Sequence, residues 1–228
     1  MLRRNFYIIF LLVISLVAYK MEAQTFEDDA RLWLHLELDK DLNKNLNVHL
    51  ALQNRINENI TRYSRVMTEL GFTYKLTKNF KLLGEYSFGF NRRLDDSYSK
   101  LNRLDVGFVL KKKFKKLTLS SRNLMQWQYK DVFSSENGHL ANIYYRTKLT
   151  FHYQLNKRFN VYVAQEINLA LQSRNEDGLS RSRTFFGTVH KLTKQSDLEC
   201  YFLLQRQYKL FNAPERDFIY GVKYSKSF

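Results

Sequence analysis

The chain has 228 residues and a formal net charge of +15, with 18 Phe, 15 Tyr, one Cys and one Pro. A single cysteine excludes an internal disulfide framework, and an aromatic content of 15% excludes a disordered polymer. The length fits one or two domains, and the positive charge leaves three partners open: nucleic acid, an anionic membrane surface, or buried acidic groups of the protein itself.

Residues 1–23 have the pattern of a cleaved signal peptide. Arg3 and Arg4 precede an apolar run from Phe6 to Ala18, which is shorter than the roughly 20 residues that a transmembrane helix needs. Ala23 is a small residue that suits a cleavage site. We therefore predict that the mature chain, residues 24–228, is exported. Export argues against nucleic acid as a partner, and the absence of a cysteine after the cleavage site argues against a lipid anchor.

The mature chain alternates apolar and polar residues with a period of two, which is typical of strands with two unlike faces. Residues 181–192 are less clear, because Phe185 and Phe186 fall on opposite faces. No segment has a sustained helical period, so the sequence predicts an all-β fold. The alternating segments are 32–39, 46–53, 65–76, 82–91, 103–110, 117–129, 143–155, 159–174, 181–192, 198–207 and 218–228.

Short basic turns and longer polar loops connect these segments in strict alternation. This order predicts an up-and-down antiparallel meander built from repeated hairpins. The short turns are 42–46, 76–80, 114–117, 155–159 and 192–196, and the longer loops lie near 54–62, 92–100, 131–140, 174–181 and 209–216.

Two classes of antiparallel barrel have this alternation, and they differ in which face is inside. A soluble barrel buries its apolar face, whereas a transmembrane barrel turns that face to lipid. The long segments favour the membrane class, since a tilted strand needs roughly 9–11 residues to cross a bilayer. Aromatic residues also gather near both ends of the apolar faces, as in interfacial girdles. A secreted soluble β-protein with a basic binding surface remains an alternative.

The last segment resembles the C-terminal signal of bacterial outer-membrane barrels, in which a terminal Phe ends an alternating strand. Phe228 ends the chain, and Tyr224, Val222 and Tyr220 share its face. The resemblance implies delivery to the barrel-assembly machinery in the outer membrane of a Gram-negative bacterium. The short turns would then be periplasmic and the long loops extracellular. Single-chain bacterial barrels have even strand numbers, so we favour 12 strands, with one hidden around residues 24–31; loss of a weak segment would give 10.

The mature chain resembles the outer-membrane barrel family catalogued as domain of unknown function 2490. Trp33 in an early strand, the recurring Leu-x-Lys-x-Leu/Phe turns, and inward Arg and Glu residues carry this resemblance. Two further segments that carry it are Arg181-x-Arg183…Gly187 and Gly221-x-Lys223-Tyr224…Phe228. The resemblance implies a barrel over nearly all of 24–228, with no assigned activity.

Charged residues on the polar face are the main candidates for a site. Pairing of Arg with Glu and Asp would fill a lumen of this size, because the guanidinium binds a carboxylate through two hydrogen bonds. The alternative is a narrow, porin-like pore that favours anions. The predicted lumen charge network comprises Glu37, Arg65, Glu69, Glu85, Arg103, Asp105, Arg122, Arg146, Glu166, Arg183 and Glu199.

An enzymatic role is the less favoured alternative. Outer-membrane lipid hydrolases of the phospholipase or lipid A deacylase type use a Ser and a His, and the candidates here are Ser120 and His152. His35 and His49 lie almost opposite one another in the predicted first hairpin, but no third metal ligand is evident. We therefore predict no metal, no cofactor and, as partners, outer-membrane lipid and the assembly machinery.

Overall fold

The computed structural model describes residues 27–93, 95–129, 141–173, 176–208 and 214–228. The predicted signal peptide, residues 1–23, lies outside this part of the chain. The described residues form eleven strands and no helix. The strands are β1 (Glu27–Asp41), β2 (Leu46–Asn57), β3 (Arg62–Lys75), β4 (Phe80–Arg92), β5 (Tyr98–Phe114), β6 (Leu117–Tyr129), β7 (Asn142–Gln154), β8 (Phe159–Gln172), β9 (Gly178–Lys191), β10 (Ser196–Gln207) and β11 (Glu215–Ser227).

These strands form a closed barrel in which each strand pairs with its neighbours in sequence and β1 pairs with β11. All pairs are antiparallel except β1 and β11, which run parallel, with Trp33 opposite Gly221 and Leu36 opposite Tyr224. Strands that alternate in direction around a ring can be odd in number only if one neighbouring pair is parallel. This seam is therefore what permits eleven strands.

The favoured count of 12 strands is not found in the described residues. The segment that was expected to hold an additional strand, around 24–31, contributes its residues from Glu27 onward to the beginning of β1. Alternation continues through this part of the strand, because Asp29 and Arg31 lie on the same face of β1 as the later charged residue Glu37. The first strand is thus longer than predicted, and residues 24–26 lie outside the described part of the chain.

Four of the five short turns contain the same type of hydrogen bond, which explains why their sequences are similar. The side-chain oxygen of an Asn or Thr accepts the backbone N–H of the residue two positions later, at 2.8–3.2 Å. Short polar side chains favour tight turns because they form this bond. The residues that accept it are Asn43, Thr77, Asn156 and Thr193.

The two faces of the barrel differ as the alternation predicts. The outer face carries large apolar side chains, with 62% of Leu70 and 47% of Tyr86 exposed. The inner face carries most of the buried charged residues, but it is not wholly polar. Phe185 faces inward and packs with Leu203 and Ile219, whereas Phe186 faces outward and is exposed. The ambiguity of residues 181–192 therefore arises from one apolar residue on each face of a single strand.

Candidate functional site

The inward charged residues meet in an ion-pair network at the middle of the lumen. Its first centre is Glu166 on β8, of which only 2% is exposed. Arg183 on the adjacent β9 donates to Glu166 at 2.7 Å, and Arg146 on β7 donates at 3.2 Å. Arg122 reaches the same carboxylate at 3.4 Å from β6, two strands away. Three guanidinium groups therefore surround one buried carboxylate.

The second centre of the network reverses this arrangement, with one guanidinium among three carboxylates. Arg103 Nη2 donates to Glu69 at 2.6 Å and to Glu85 at 3.0 Å. Arg103 Nε lies 3.0 Å from the carboxylate of Asp105. Asp105 also lies 3.9 Å from Arg146, which links the two centres. Charge is thus nearly balanced across the middle of the lumen, as expected when ions are buried together.

Other ion pairs cross the parallel seam between β1 and β11. Lys223 Nζ lies 2.7 Å from Glu37, and Arg31 Nη2 lies 2.8 Å from the fully buried Asp217. Glu199, the remaining predicted acid, accepts a hydrogen bond from the Tyr162 hydroxyl. The two pairs across the seam join residues 186 positions apart in the sequence, so they stabilise the closed barrel.

Described residues line two cavities within the lumen that bear on its function, which we call the central cavity and the loop-end cavity. The central cavity, of about 230 Å³, is lined by the ion-pair network. The loop-end cavity, of about 280 Å³, lies where the strands enter the longer loops. Trp33, Arg55 and Arg183 line both cavities. The Arg55 guanidinium carbon lies 4.0 Å from the centre of the Trp33 ring, so a cation–π contact stands between the two spaces.

The structure places ten of the eleven predicted network residues around the central cavity and Arg65 at the loop-end cavity. Sequence reasoning did not assign Arg31, Arg92 or Arg181 to the lumen, although all three line the loop-end cavity. Arg31 and Arg181 continue the inward alternation of β1 and β9 to the ends of those strands, so following the period would have identified them. Arg92 instead has the parity of the outward Phe88 and Phe90 on β4, so alternation gave no signal for it.

The hydrolase candidates are not arranged for nucleophilic catalysis. Thr118, and not Ser120, lies opposite His152, so Ser120 and His152 are diagonal neighbours on the same inner face. The backbones of such neighbours lie roughly 7–8 Å apart. Among the described residues no hydrogen bond joins Ser120 to His152, although a base must be within hydrogen-bond reach to activate a hydroxyl. The His152 ring instead packs against Tyr162, with the ring centres 5.2 Å apart.

The predicted proximity of His35 and His49 is wrong. His35 lies opposite Gln53, and His49 lies opposite Asp39, so four residues along β1 separate the two positions. The histidine ring of His49 faces Glu85 instead, with Nε2 3.5 Å from the carboxylate. No group of three or more His, Cys, Asp or Glu side chains within the described strands and turns is arranged to hold a metal ion.

Within the described residues, no helix is long and apolar enough to cross a membrane.

Comparison with known proteins identifies a family but no activity. The profile of a family described as "Protein of unknown function (DUF2490)" matches residues 30–213. Among solved structures, the chain is similar to the crystal structure of the beta domain of the Bordetella autotransporter Brka. The two share 10% sequence identity with a TM-score of 0.42, over 76% of this chain and 78% of that one. No curated protein matches the sequence.

Proposed function

Because the chain belongs to the DUF2490 family, whose description assigns no activity, we propose a function from the barrel itself. The protein is an integral barrel of the bacterial outer membrane, without enzymatic activity, and its lumen is closed at the middle by ion pairs. The observation that carries this proposal is the inversion of the barrel. Apolar side chains face outward and charged side chains are buried inside, which is the reverse of a soluble barrel.

The outer face supports a location in lipid. Exposed Leu, Val, Phe and Tyr side chains recur on the outward positions of all the described strands except β10, and include Leu50, Leu70, Tyr86, Phe88 and Val106. Soluble monomers rarely expose a continuous apolar surface of this extent. A closed barrel also pairs its backbone groups between strands, which the hydrocarbon core requires because it offers no water for hydrogen bonding.

The C-terminal strand supports recognition by the assembly machinery, with the short turns on the periplasmic side. Tyr220 and Val222 on the last strand, and Phe228 directly after it, are exposed, so a partner could contact them. The backbone N–H of Phe228 donates to the carbonyl of Asp39 at 3.0 Å, which places the chain end at the rim formed by the short turns.

Cys200 provides a direct test of the lipid location, because it is the only cysteine and its side chain is exposed on the outer face of β10. A polarity-sensitive fluorophore attached there should be quenched by quenchers carried on lipid chains after refolding into vesicles. Aqueous iodide should quench it weakly. The control is a Cys200→Ala, Lys44→Cys variant that carries the fluorophore at position 44, in an exposed turn, where aqueous iodide should quench it strongly. Strong iodide quenching at position 200 in a barrel that keeps its heat-modifiable gel migration would contradict the proposal.

The ion-pair network predicts that the wild-type barrel conducts no steady current in a planar bilayer. Replacing Arg103 and Arg146 with Ala removes two guanidinium groups but keeps Glu69, Glu85 and Glu166 in the lumen. We expect this double variant to conduct with a preference for cations, because rings of carboxylates select them. Steady current through the wild type, with a preference for anions, would replace the closed lumen with the narrow anion-favouring channel.

A further inference from the structure

The loop-end cavity is lined by six arginines, and its described lining residues include no carboxylate. This composition differs from that of the central cavity, where acidic and basic side chains alternate. The arginines come from the adjacent strands β1, β2, β3 and β4 and from β9, which lies three strands beyond β1 around the barrel. They are Arg31, Arg55, Arg65, Arg92, Arg181 and Arg183.

Four of these arginines are compensated by carboxylates that lie outside the cavity. Arg31 pairs with Asp217, Arg92 with Glu58, Arg181 with Glu176 at 3.9 Å, and Arg183 with Glu166. These pairs keep the side chains in place and offset their charge. Any excess of positive charge in the cavity therefore comes from Arg55 and Arg65.

Arg55 and Arg65 differ because each donates only to a neutral amide within the described structure. Arg55 donates to the Gln53 side chain at 3.0 Å, and Arg65 donates to Asn91. Neither has a carboxylate within ion-pair distance among the described residues. Two guanidinium charges are thus held together without a described counter-charge, which is costly unless an anion occupies the space between them.

Three N–H donors around the same cavity are buried without a hydrogen-bond acceptor. They are Nε of Arg55, Nε of Arg181 and the indole Nε1 of Trp33. An unpaired acceptor, Oδ1 of Asn57, also lines the cavity, but one oxygen cannot serve three donors. Buried polar groups are normally paired, so the remaining donors indicate a missing acceptor. A ligand that supplies several oxygen acceptors and more than one negative charge would satisfy these donors together.

We propose that the loop-end cavity binds a small, soluble, multivalent oxyanion of the phosphate class. The planar guanidinium fork donates two parallel hydrogen bonds to such groups, and phosphate supplies the acceptors that the unpaired donors lack. A volume of about 280 Å³ suits a small solute. The barrel wall excludes a lipid headgroup from the side, so the ligand enters through the long-loop end. This binding site goes beyond the proposed membrane role and does not depend on where the barrel resides.

Pyrophosphate binding to the full mature barrel, refolded in detergent, tests the site. Isothermal titration at constant ionic strength should show saturable binding of pyrophosphate but not of chloride. The Arg55→Gln, Arg65→Gln double variant should bind at least about tenfold more weakly, since hydrogen bonds to charged groups each contribute roughly that factor or more. Arg62→Gln is the matched control, because Arg62 lies at the same end but does not line the cavity.

Thermal unfolding without ligand separates lost binding from lost folding. Removing two uncompensated charges should leave the melting temperature of the double variant equal to or above that of the wild type. Pyrophosphate should raise the melting temperature of the wild type and of Arg62→Gln, but not that of the double variant. Equal binding by the wild type and the double variant, or no saturable binding by the wild type, would overturn the proposal.

Discussion

The Glu166→Gln substitution should destabilise the barrel by about 3 kcal/mol or more, because it removes the charge that three buried or half-buried arginines share. Glu166 accepts from Arg183 at 2.7 Å, from Arg146 at 3.2 Å and from Arg122 at 3.4 Å. Glutamine keeps the shape of the side chain but offers one neutral oxygen. Three guanidinium groups would then repel one another in a space with little water.

Urea unfolding of the detergent-refolded barrel, followed by tryptophan fluorescence, measures this loss in the free energy of unfolding. Glu58→Gln is the control, because Glu58 also pairs with two arginines but its side chain is 51% exposed. Exposed pairs contribute less than about 1 kcal/mol. If Glu166→Gln costs no more than Glu58→Gln, the network does not stabilise the lumen.

A double variant tests whether the cost of Glu166→Gln arises from unpaired charge. Adding Arg146→Gln removes one of the guanidinium groups that Glu166→Gln leaves unpaired. The combined loss should therefore be smaller than the sum of the two single losses, by about 1 kcal/mol or more. Additive losses would indicate that the two side chains contribute to stability independently.

The sequence was sufficient to predict the strands because their alternation reports a local property, the facing of each side chain. A run such as Val66, Leu70 and Phe72 opposite Arg65 and Glu69 distinguishes two faces without any knowledge of neighbouring strands. The same logic placed Arg and Glu residues in the lumen, where the structure shows Arg–Glu ion pairs.

Closure and pairing depend on contacts between distant residues, which alternation does not report. The parallel seam matches Trp33 with Gly221, so the strand number could not be derived from either strand alone. Arg122 reaches Glu166 across an intervening strand, which depends on the curvature of the barrel. The loop-end cavity combines Arg31, Arg65 and Arg181, whose charges lie too far apart in sequence to be recognised as one site.

The Leu70→Arg substitution should distinguish a membrane barrel from a soluble one, because the expected loss in the free energy of unfolding is large for the first class and small for the second. Leu70 is 62% exposed, and its register neighbours on the outer face are Leu50 and Tyr86, each 47% exposed. In a lipid bilayer, an arginine at the middle of this surface should cost about 2–4 kcal/mol. On a soluble barrel the same change would replace an exposed leucine with a hydrated charge, at a cost of about 0.5 kcal/mol or less.

Folding into lipid vesicles, measured as the free energy of unfolding in urea, gives this value directly. Leu76→Arg is the matched control, because Leu76 is 50% exposed but lies in a short turn at the rim, where the expected cost falls to roughly 0–1 kcal/mol. A large loss in the free energy of unfolding at Leu70 with a small loss at Leu76 means that a charge is unfavourable only near the middle of the barrel wall. The hydrocarbon core of a bilayer has this effect. Equal and small losses at both positions would instead assign the apolar outer face to contact with water or with another protein.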